Sequence, residues 1–468
     1  MKQATIAAIS TPFGNGGIGI IRISGHRSIE IASRLFTPSR QGLPVDSQGQ
    51  DTAFKSHLFY HGHIRDPQSL QRIDEVLFVA MPAPKSYTRE DVVEIHSHSG
   101  SVVLSRIFEA VVSEGAVVAA PGEFTRRAFL NGRIDLTQAE AVIDVINAKS
   151  DTALTIANRQ LAGGMAEKLA PIRNALQSKR VLLEARIDFP EDVDGGGEMD
   201  SILADLDGVV IDPIESLLNS YRSDHFFRDG VKMAIIGRPN VGKSSLMNRL
   251  VNSDRAIVTP VPGTTRDVIE ATFHIRGLPV VIMDTAGLRD ACGEIEKIGV
   301  QRTRQTIKDA DIILFITDAR EVTSTEDEKI FQLIQGKNTL IVRNKCDLIA
   351  TATPPLPELW QNTPSILVSA LKGTKIGALQ KKIATLLVGE NAPDREIGIV
   401  PNLRHKKELE DCKVAVQRAQ RAAGHGLPEE MIAADIMAAL GHLDIILGRN
   451  HHDPDLLDHI FNRFCIGK

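Results

Sequence analysis

Gly237-Arg238-Pro239-Asn240-Val241-Gly242-Lys243-Ser244 stands between an apolar run, VKMAII at 231–236, and a helical stretch, SSLMNRLV at 244–251. This is the G-x-x-x-x-G-K-S loop in the strand-loop-helix setting its chemistry needs. The glycines let backbone N–H groups turn inward around a phosphate, and the start of the following helix adds positive potential. Lys243 reaches the β- and γ-phosphates, Ser244 offers a hydroxyl to Mg2+, and Asn240, Val241, Gly242 and Ser245 belong to the same cradle. Alone, the loop specifies only a nucleoside triphosphate.

Three further elements lie downstream in order. Asp284-Thr285-Ala286-Gly287 ends the apolar strand VVIM, where the carboxylate can hold Mg2+ through its shell and the Gly287 N–H can sense the γ-phosphate. Asn344-Lys345-Cys346-Asp347 ends LIVR, and Ser369-Ala370-Leu371 ends ILVS. Asp347 can accept from N1–H and the 2-amino group of guanine, which adenine does not offer together; with adenine the carboxylate would stay unpaired. The base is therefore guanine. Between the first two elements, Thr259-Pro260-Val261-Pro262-Gly263-Thr264-Thr265 suits a switch loop, with Thr265 as the second hydroxyl ligand of Mg2+ and Thr259 and Thr264 among the nucleotide contacts. Many small GTPases carry a water-orienting glutamine where this chain has Leu288, which cannot hydrogen-bond. Asp290, Glu294 and Glu296 follow as acids, each equally readable as a solvated surface charge.

Around this core, 468 residues at about 150 per domain predict about three domains. With 43% hydrophobic and 24% charged residues the chain is an ordinary globular protein, neither disordered, collagenous nor membrane-embedded. A net charge of -5 excludes a global basic field, so RNA contact must come from local patches such as Arg404 to Lys407 or Arg126 with Arg127, unless these are solvated helix faces. Cys292, Cys346, Cys412 and Cys465 are scattered, as reduced thiols of a cytosolic protein are. No signal-peptide core or apolar run of about 20 residues is present, which predicts a cytoplasmic protein without integral membrane association.

Residues 1–120 read as short strands in an α/β domain. There GNGGIG at 14–19 matches G-x-G-x-x-G, but the IGIIRIS run is β-branched and predicts a strand, so a hairpin turn is the better reading. From 121 the texture is helical, with Asp135 or Thr137 as cap and Gln138 or Glu140 three residues on. Strands alternate with helices over 225–385, and amphipathic helices broken by GHGLP return after 400. The organisation expected is an N-terminal domain over 1–120, one helical domain built from 121–220 and 390–468, and a P-loop domain over 225–385 inserted into it. Glu94, His96 and His98 share one strand face and form a weak metal pattern against an ordinary polar face. Cys465-Ile466-Gly467-Lys468 has the position of a prenylation box, but Gly467 is not aliphatic and Lys468 is not a usual last residue, which excludes it.

GRPNVGKSS, PGTTRD, DTAGLR with E-x-E-K-I-G, NKCD and the final FCIGK, together with GGIGIIRISG, PGEFTRRAFLNGRIDLTQAEA and IDFPED, resemble the MnmE or TrmE family of tRNA modification GTPases. The resemblance spans nearly the whole chain. It implies a multidomain α/β plus all-α protein: an N-terminal folate-binding-like α/β domain, a discontinuous helical domain and an inserted Ras-like P-loop GTPase domain. It further implies a homodimer through the N-terminal domain, with G domains that meet when GTP is hydrolysed. Potassium would stand in for an arginine finger, held by Asn240 with Thr259, Val261 and Thr264 around it, neutralising charge between the β- and γ-phosphates. Glu296 matches the acid that positions water. Folate contacts carry over to Arg22, Glu94, Lys468 and Arg133, the last standing where the family usually has lysine. Cys465 would take part in the modification itself. With an FAD-dependent partner of the MnmG or GidA family, in a heterotetramer or larger complex, the chain would place an aminomethyl or carboxymethylaminomethyl group on carbon 5 of the wobble uridine of certain tRNAs. A 5-formyl- or methylene-tetrahydrofolate would donate the carbon, and ammonium or glycine the amine. The rival readings are a GTP-dependent RNA-binding or ribosome-assembly switch without modification chemistry, and a scaffold whose G domain only regulates dimerisation.

Overall fold

A computed structural model describes residues 4–12, 14, 16–39, 54–189, 202–253, 272–283, 305–349, 353–389, 398–449 and 454–468. Contacts divide the chain into two compact units, Met1–Ile143 with Asp444–Lys468, and Asp144–Leu443.

Among the described residues the first unit is built on seven strands: β1 Ile6–Ile9, β2 Ile18–Ser24, β3 Phe36–Pro38, β4 Phe59–Arg65, β5 Arg72–Met81, β6 Val92–His98 and β7 Val117–Val118, in the order β3-β4-β5-β6-β2-β1-β7. Alternation assigns the faces. Ile21, Ile23, Phe78 and Ile95 are buried against Ile31 and Leu35 of the helix Ser28–Leu35 and Leu104 and Ile107 of Ser101–Ser113. Arg22, Glu94 and His96 consequently stand on the opposite face, with Arg22 directly across from Glu94 in the β2–β6 register. The β-branched run after the glycines is a strand, antiparallel to β1, as the hairpin reading required. A Cβ at Gly19 would come within 2.6 Å of the Leu104 side chain, so this glycine lets Ser101–Ser113 lie close on the sheet.

The end of the chain belongs to this unit. Leu457, Ile460, Phe461 and Phe464 pack with Phe129, Leu136 and Ala139. The helix Leu136–Asn147 starts on Asp135, whose Oδ1 accepts from the Gln138 N–H at 2.9 Å while the Gln138 side chain accepts from the Asp135 N–H at 3.0 Å. This reciprocal pair is the capping arrangement predicted for that stretch.

Among the described residues the second unit holds six strands: β8 Val231–Ile236, β9 Thr272–Ile275, β10 Leu278–Ile282, β11 Ile312–Asp318, β12 Thr339–Asn344 and β13 Ser365–Leu367, ordered β13-β12-β11-β8-β10-β9. All neighbours are parallel except β9 with β10. Every residue of β11 is buried, as a central strand covered on both faces demands. The helices Lys243–Ser253, Thr325–Ile334 and Ile376–Val388 alternate with these strands. The helices Asp151–Leu161 and Asp212–Asp229 share the sheet's core through Ile156 and Phe227, which places them in one unit with it. Two long helices, Leu403–Gly424 and Glu429–Leu447, flank the GHGLP break. Among the described residues no helix is long and apolar enough to cross a membrane.

Candidate functional site

The loop after β8 is shaped by close approaches that side chains would block. A Cβ on Gly237 would collide with the Ile316 carbonyl of β11, and one on Gly242, at φ +97, with the Asn344 amide. Asn240 takes the left-handed conformation at φ 64 and is exposed. The Lys243 ammonium donates to the Gly237 carbonyl at 2.7 Å and the Arg238 carbonyl at 2.8 Å, folded back over the loop whose phosphate it is expected to meet. Arg238 pairs with Glu321 at 2.8 Å and with buried Asp327 at 2.9 Å. Ser244 and Ser245 open the helix Lys243–Ser253 and are exposed.

Asn344 is buried, and both ends of its amide are engaged by the chain: Nδ2 donates to the Val241 carbonyl at 2.9 Å and Oδ1 accepts from the Ala370 N–H at 3.0 Å. One side chain thus ties the phosphate loop to the Ser369–Ala370–Leu371 turn. Lys345, at φ 65, pairs with Asp318 at 2.8 Å, and Arg320 pairs with the same carboxylate at 2.8 Å. Burial works to raise the Asp318 carboxyl, but hydrogen bonds from Arg320 and Lys345 hold it well below the usual carboxylate range. Asp347 is exposed in the short turn Cys346–Leu348. Ser369 is buried, its hydroxyl accepting from the Lys372 N–H at 3.1 Å, and Leu371 is exposed. Arg249 donates to the Ala370 carbonyl at 3.1 Å and the Leu371 carbonyl at 2.7 Å.

Residues of three separate motifs therefore gather at the C-terminal edge of one sheet, where ligands of open parallel sheets bind. Thr259, Val261, Thr264, Thr265, Asp284, Thr285, Ala286, Gly287, Leu288 and Glu296 lie outside the described residues. Sequence reading missed Asp318, Arg249 and Arg320. Asp318 had a signal, since it too is an acid at the end of an apolar strand; the arginines had none.

A second polar cluster occupies the first unit. Arg22 and Glu94 pair at 2.8 Å, and His96 Nε2 lies 3.2 Å from the other Glu94 oxygen. The Gly467 carbonyl accepts from Arg22 at 3.2 Å and from the Ser10 hydroxyl at 3.2 Å, while the Phe124 N–H donates to the Lys468 carbonyl at 3.2 Å. Gly467 sits at φ +95, where a Cβ would come within 2.7 Å of the Ile9 carbonyl. The hydrogen bond from His96, opposed by burial and helped by Arg22, holds the Glu94 carboxyl below its ordinary value. Cys465 is exposed, two residues before Gly467. Arg133 lies on the Tyr87 ring at 4.7 Å and donates to the Tyr87 carbonyl at 3.0 Å, so among its described contacts it does not join Arg22 and Glu94.

Two weaker expectations fare differently. His98 turns to Asp74 at 2.9 Å while His96 turns to Glu94, so Glu94, His96 and His98 do not converge on one ion. Arg127 is buried between Glu90 and Glu123, and Arg126 pairs with Asp458 at 3.1 Å, which engages both within the chain. Burial pushes the Cys412 thiol up to about 12, leaving it unreactive.

Residues 5–133 match the family described as GTP-binding protein TrmE N-terminus, and residues 136–465 match the MnmE helical domain. A tRNA modification GTPase MnmE of Syntrophobacter fumaroxidans is 44% identical over 471 residues, covering 99% of this chain and 98% of its own. Its namesake in Desulfotalea psychrophila is 42% identical over 469 residues at 99% and 98% coverage. That of Moorella thermoacetica is 42% identical over 475 residues and covers both chains fully, at 100% each. The chain belongs to the MnmE family of tRNA modification GTPases. The MnmE-type matches take in both clusters: Arg22 and Glu94 fall in the N-terminal span, and the phosphate loop and Cys465 in the other.

Proposed function

We propose that this chain hydrolyses GTP to drive modification of the wobble uridine of certain tRNAs, adding an aminomethyl or carboxymethylaminomethyl group at carbon 5 with an FAD-dependent partner of the MnmG or GidA family. The supporting observation is the seating of the C-terminal tail: the Gly467 carbonyl lies on Arg22, beside Glu94 and two residues from Cys465. A carboxylate held ionised beside a guanidinium suits a pterin, whose N–H edge offers donors to Glu94. A tetrahydrofolate held by Arg22, Glu94, Lys468 and, less directly, Arg133 would supply the one-carbon unit. Cys465 is the exposed thiol nearest in sequence to that cluster, and we assign it a part in the modification.

At the nucleotide site Lys243 meets the phosphates, Ser244 with Thr265 holds Mg2+, and Asp347 reads the guanine edge. Asn344 braces the two loops between which the nucleotide lies. The Asn240 side chain has no partner among the described residues, which leaves its oxygen for a potassium ion shared with Thr259, Val261 and Thr264. Glu296 positions the water that Leu288 cannot. The domain organisation is 1–120, 121–220 with 390–468, and 225–385, assembled as a homodimer in the cytoplasm.

Nucleoside analysis of tRNA from cells lacking the protein tests the reading. Loss of a modified wobble uridine, restored by the wild-type chain, is expected; tRNA unchanged by the loss overturns the function. Cys465→Ser is expected to hydrolyse GTP normally without restoring the nucleoside, and full restoration removes the thiol from the chemistry.

A further inference from the structure

The helices Leu403–Gly424 and Glu429–Leu447 run antiparallel, with Arg418 against Asp435 near the turn and Glu408 against His442 toward the far end. Three acids on this pair find basic partners: Glu410 with Lys406 at 3.8 Å, Asp435 with Arg418 at 3.0 Å, and Glu429 with Arg186 at 2.8 Å, while Glu430 is exposed. Glu408 and Asp411 depart from that pattern. They lie three positions apart, hence on one helix face. The only partner of Glu408 among the described residues is the imidazole of His442, whose Nδ1 lies 2.7 Å from Oε2. Asp411 has no ion-pair or hydrogen-bond partner among the described residues. One ligand atom from each of the three residues lies within 4.8 Å of the others, and all three side chains are half-buried.

Two carboxylates held this close, neither paired with a lysine or arginine among the described residues, repel each other in a setting that screens them only partly. A cation removes that repulsion. We propose that Glu408, Asp411 and His442 form a binding site for one divalent metal ion, Zn2+ in the first place, that clamps the helices Leu403–Gly424 and Glu429–Leu447 together. The donor set chooses the ion: two carboxylates alone would suit Mg2+ or Ca2+, whereas an imidazole shifts preference to Zn2+ and Co2+. Metal–ligand bonds of about 2.0–2.2 Å put ligand atoms up to about 4 Å apart, so side-chain rotation alone closes the site. Half-burial leaves a fourth position for water. The same His442 nitrogen that meets Glu408 would meet the ion, so binding replaces that direct contact with one through the metal. Because the ligands come from two helices, the ion binds the folded pair and stabilises it. The inference stands independently of the nucleotide and folate readings.

The test is calorimetric titration of Zn2+ into the full chain in excess Mg2+ and GDP, so that the phosphate loop is already occupied, with thermal unfolding recorded in parallel. One equivalent of Zn2+ with a raised unfolding temperature is expected. Asp411→Asn and His442→Ala should each weaken that binding at least about tenfold and abolish the thermal shift, an interaction loss of 1.4 kcal/mol per decade. Asp411→Asn is the milder change, since it removes no side-chain ion pair or hydrogen bond found among the described residues. His98→Ala, on the other unit, should bind as the wild type does. Saturable binding that both helix variants retain, binding lost only in His98→Ala, or no saturable binding at all each overturns the proposal.

Discussion

At the scale of single residues, Asn344 matters for what it joins. Its amide satisfies a carbonyl in the phosphate loop and an N–H in the Ser369 turn, both inside the protein. Asn344→Ala removes both bonds at once and leaves the Val241 carbonyl and the Ala370 N–H unpaired. Each buried group left unsatisfied costs about 1–3 kcal/mol, so denaturant unfolding of the variant should show a loss of at least about 2 kcal/mol, with weakened binding of GTP and GDP alike. A loss below about 0.5 kcal/mol would mean that neither bond matters to the folded state. Asn240 poses the opposite case, because its backbone sits at φ 64 and its side chain has no partner among the described residues. Asn240→Gly keeps that conformation without strain, so stability should stay within about 0.5 kcal/mol. If the side chain holds potassium, the variant's GTPase rate in KCl should fall to its rate in NaCl at equal ionic strength; a preserved preference for KCl would place the ion elsewhere.

At the scale of elements, the strand ends were legible in the sequence because apolar runs closed by Gly, Asn or Asp name both a strand and its ligand-facing edge. Asp135 with Gln138 was legible for the same local reason, since a capping box is written in four consecutive residues. The bracing side chains were not. Arg249 meets Ala370 only because the helix Lys243–Ser253 and the turn after β13 pack side by side, and no periodicity carries that. The helix Thr325–Ile334 adds another such link. Its cap is reciprocal between Ser324 and Asp327, and Asp327 also pairs with Arg238 of the phosphate loop. Ser324→Ala should cost about 1 kcal/mol for the lost cap. Because the Asp327–Arg238 pair survives that change, GTP affinity should hold; reduced affinity measured by nucleotide titration would show that the cap positions the loop.

At the scale of the whole chain, the sequence carried the family's separate signatures near both ends but not the way the last residues meet β2. The contact runs through backbone carbonyls, at Gly467 and Lys468, and carbonyls have no letter in a sequence. What holds Gly467 is Arg22, and what orients Arg22 is ionised Glu94. The Glu94 carboxyl lies below its ordinary value of 4.5, so ionisation is favoured by folding. The sign follows: its contribution is complete above the unfolded pKa and is lost as pH falls through the lower, folded one. Glu94→Gln removes the charge at every pH while keeping the shape. Wild type should therefore exceed the variant in resistance to urea at neutral pH, and the gap should narrow steadily once pH drops below that ordinary value. A gap unchanged at pH 3 would assign the acid sensitivity of this cluster to a group other than Glu94. A gap that closes as expected would make the seat of the Cys465 tail depend on one carboxylate; if a folate binds there as proposed, Glu94→Gln should then fail to bind it at neutral pH as well.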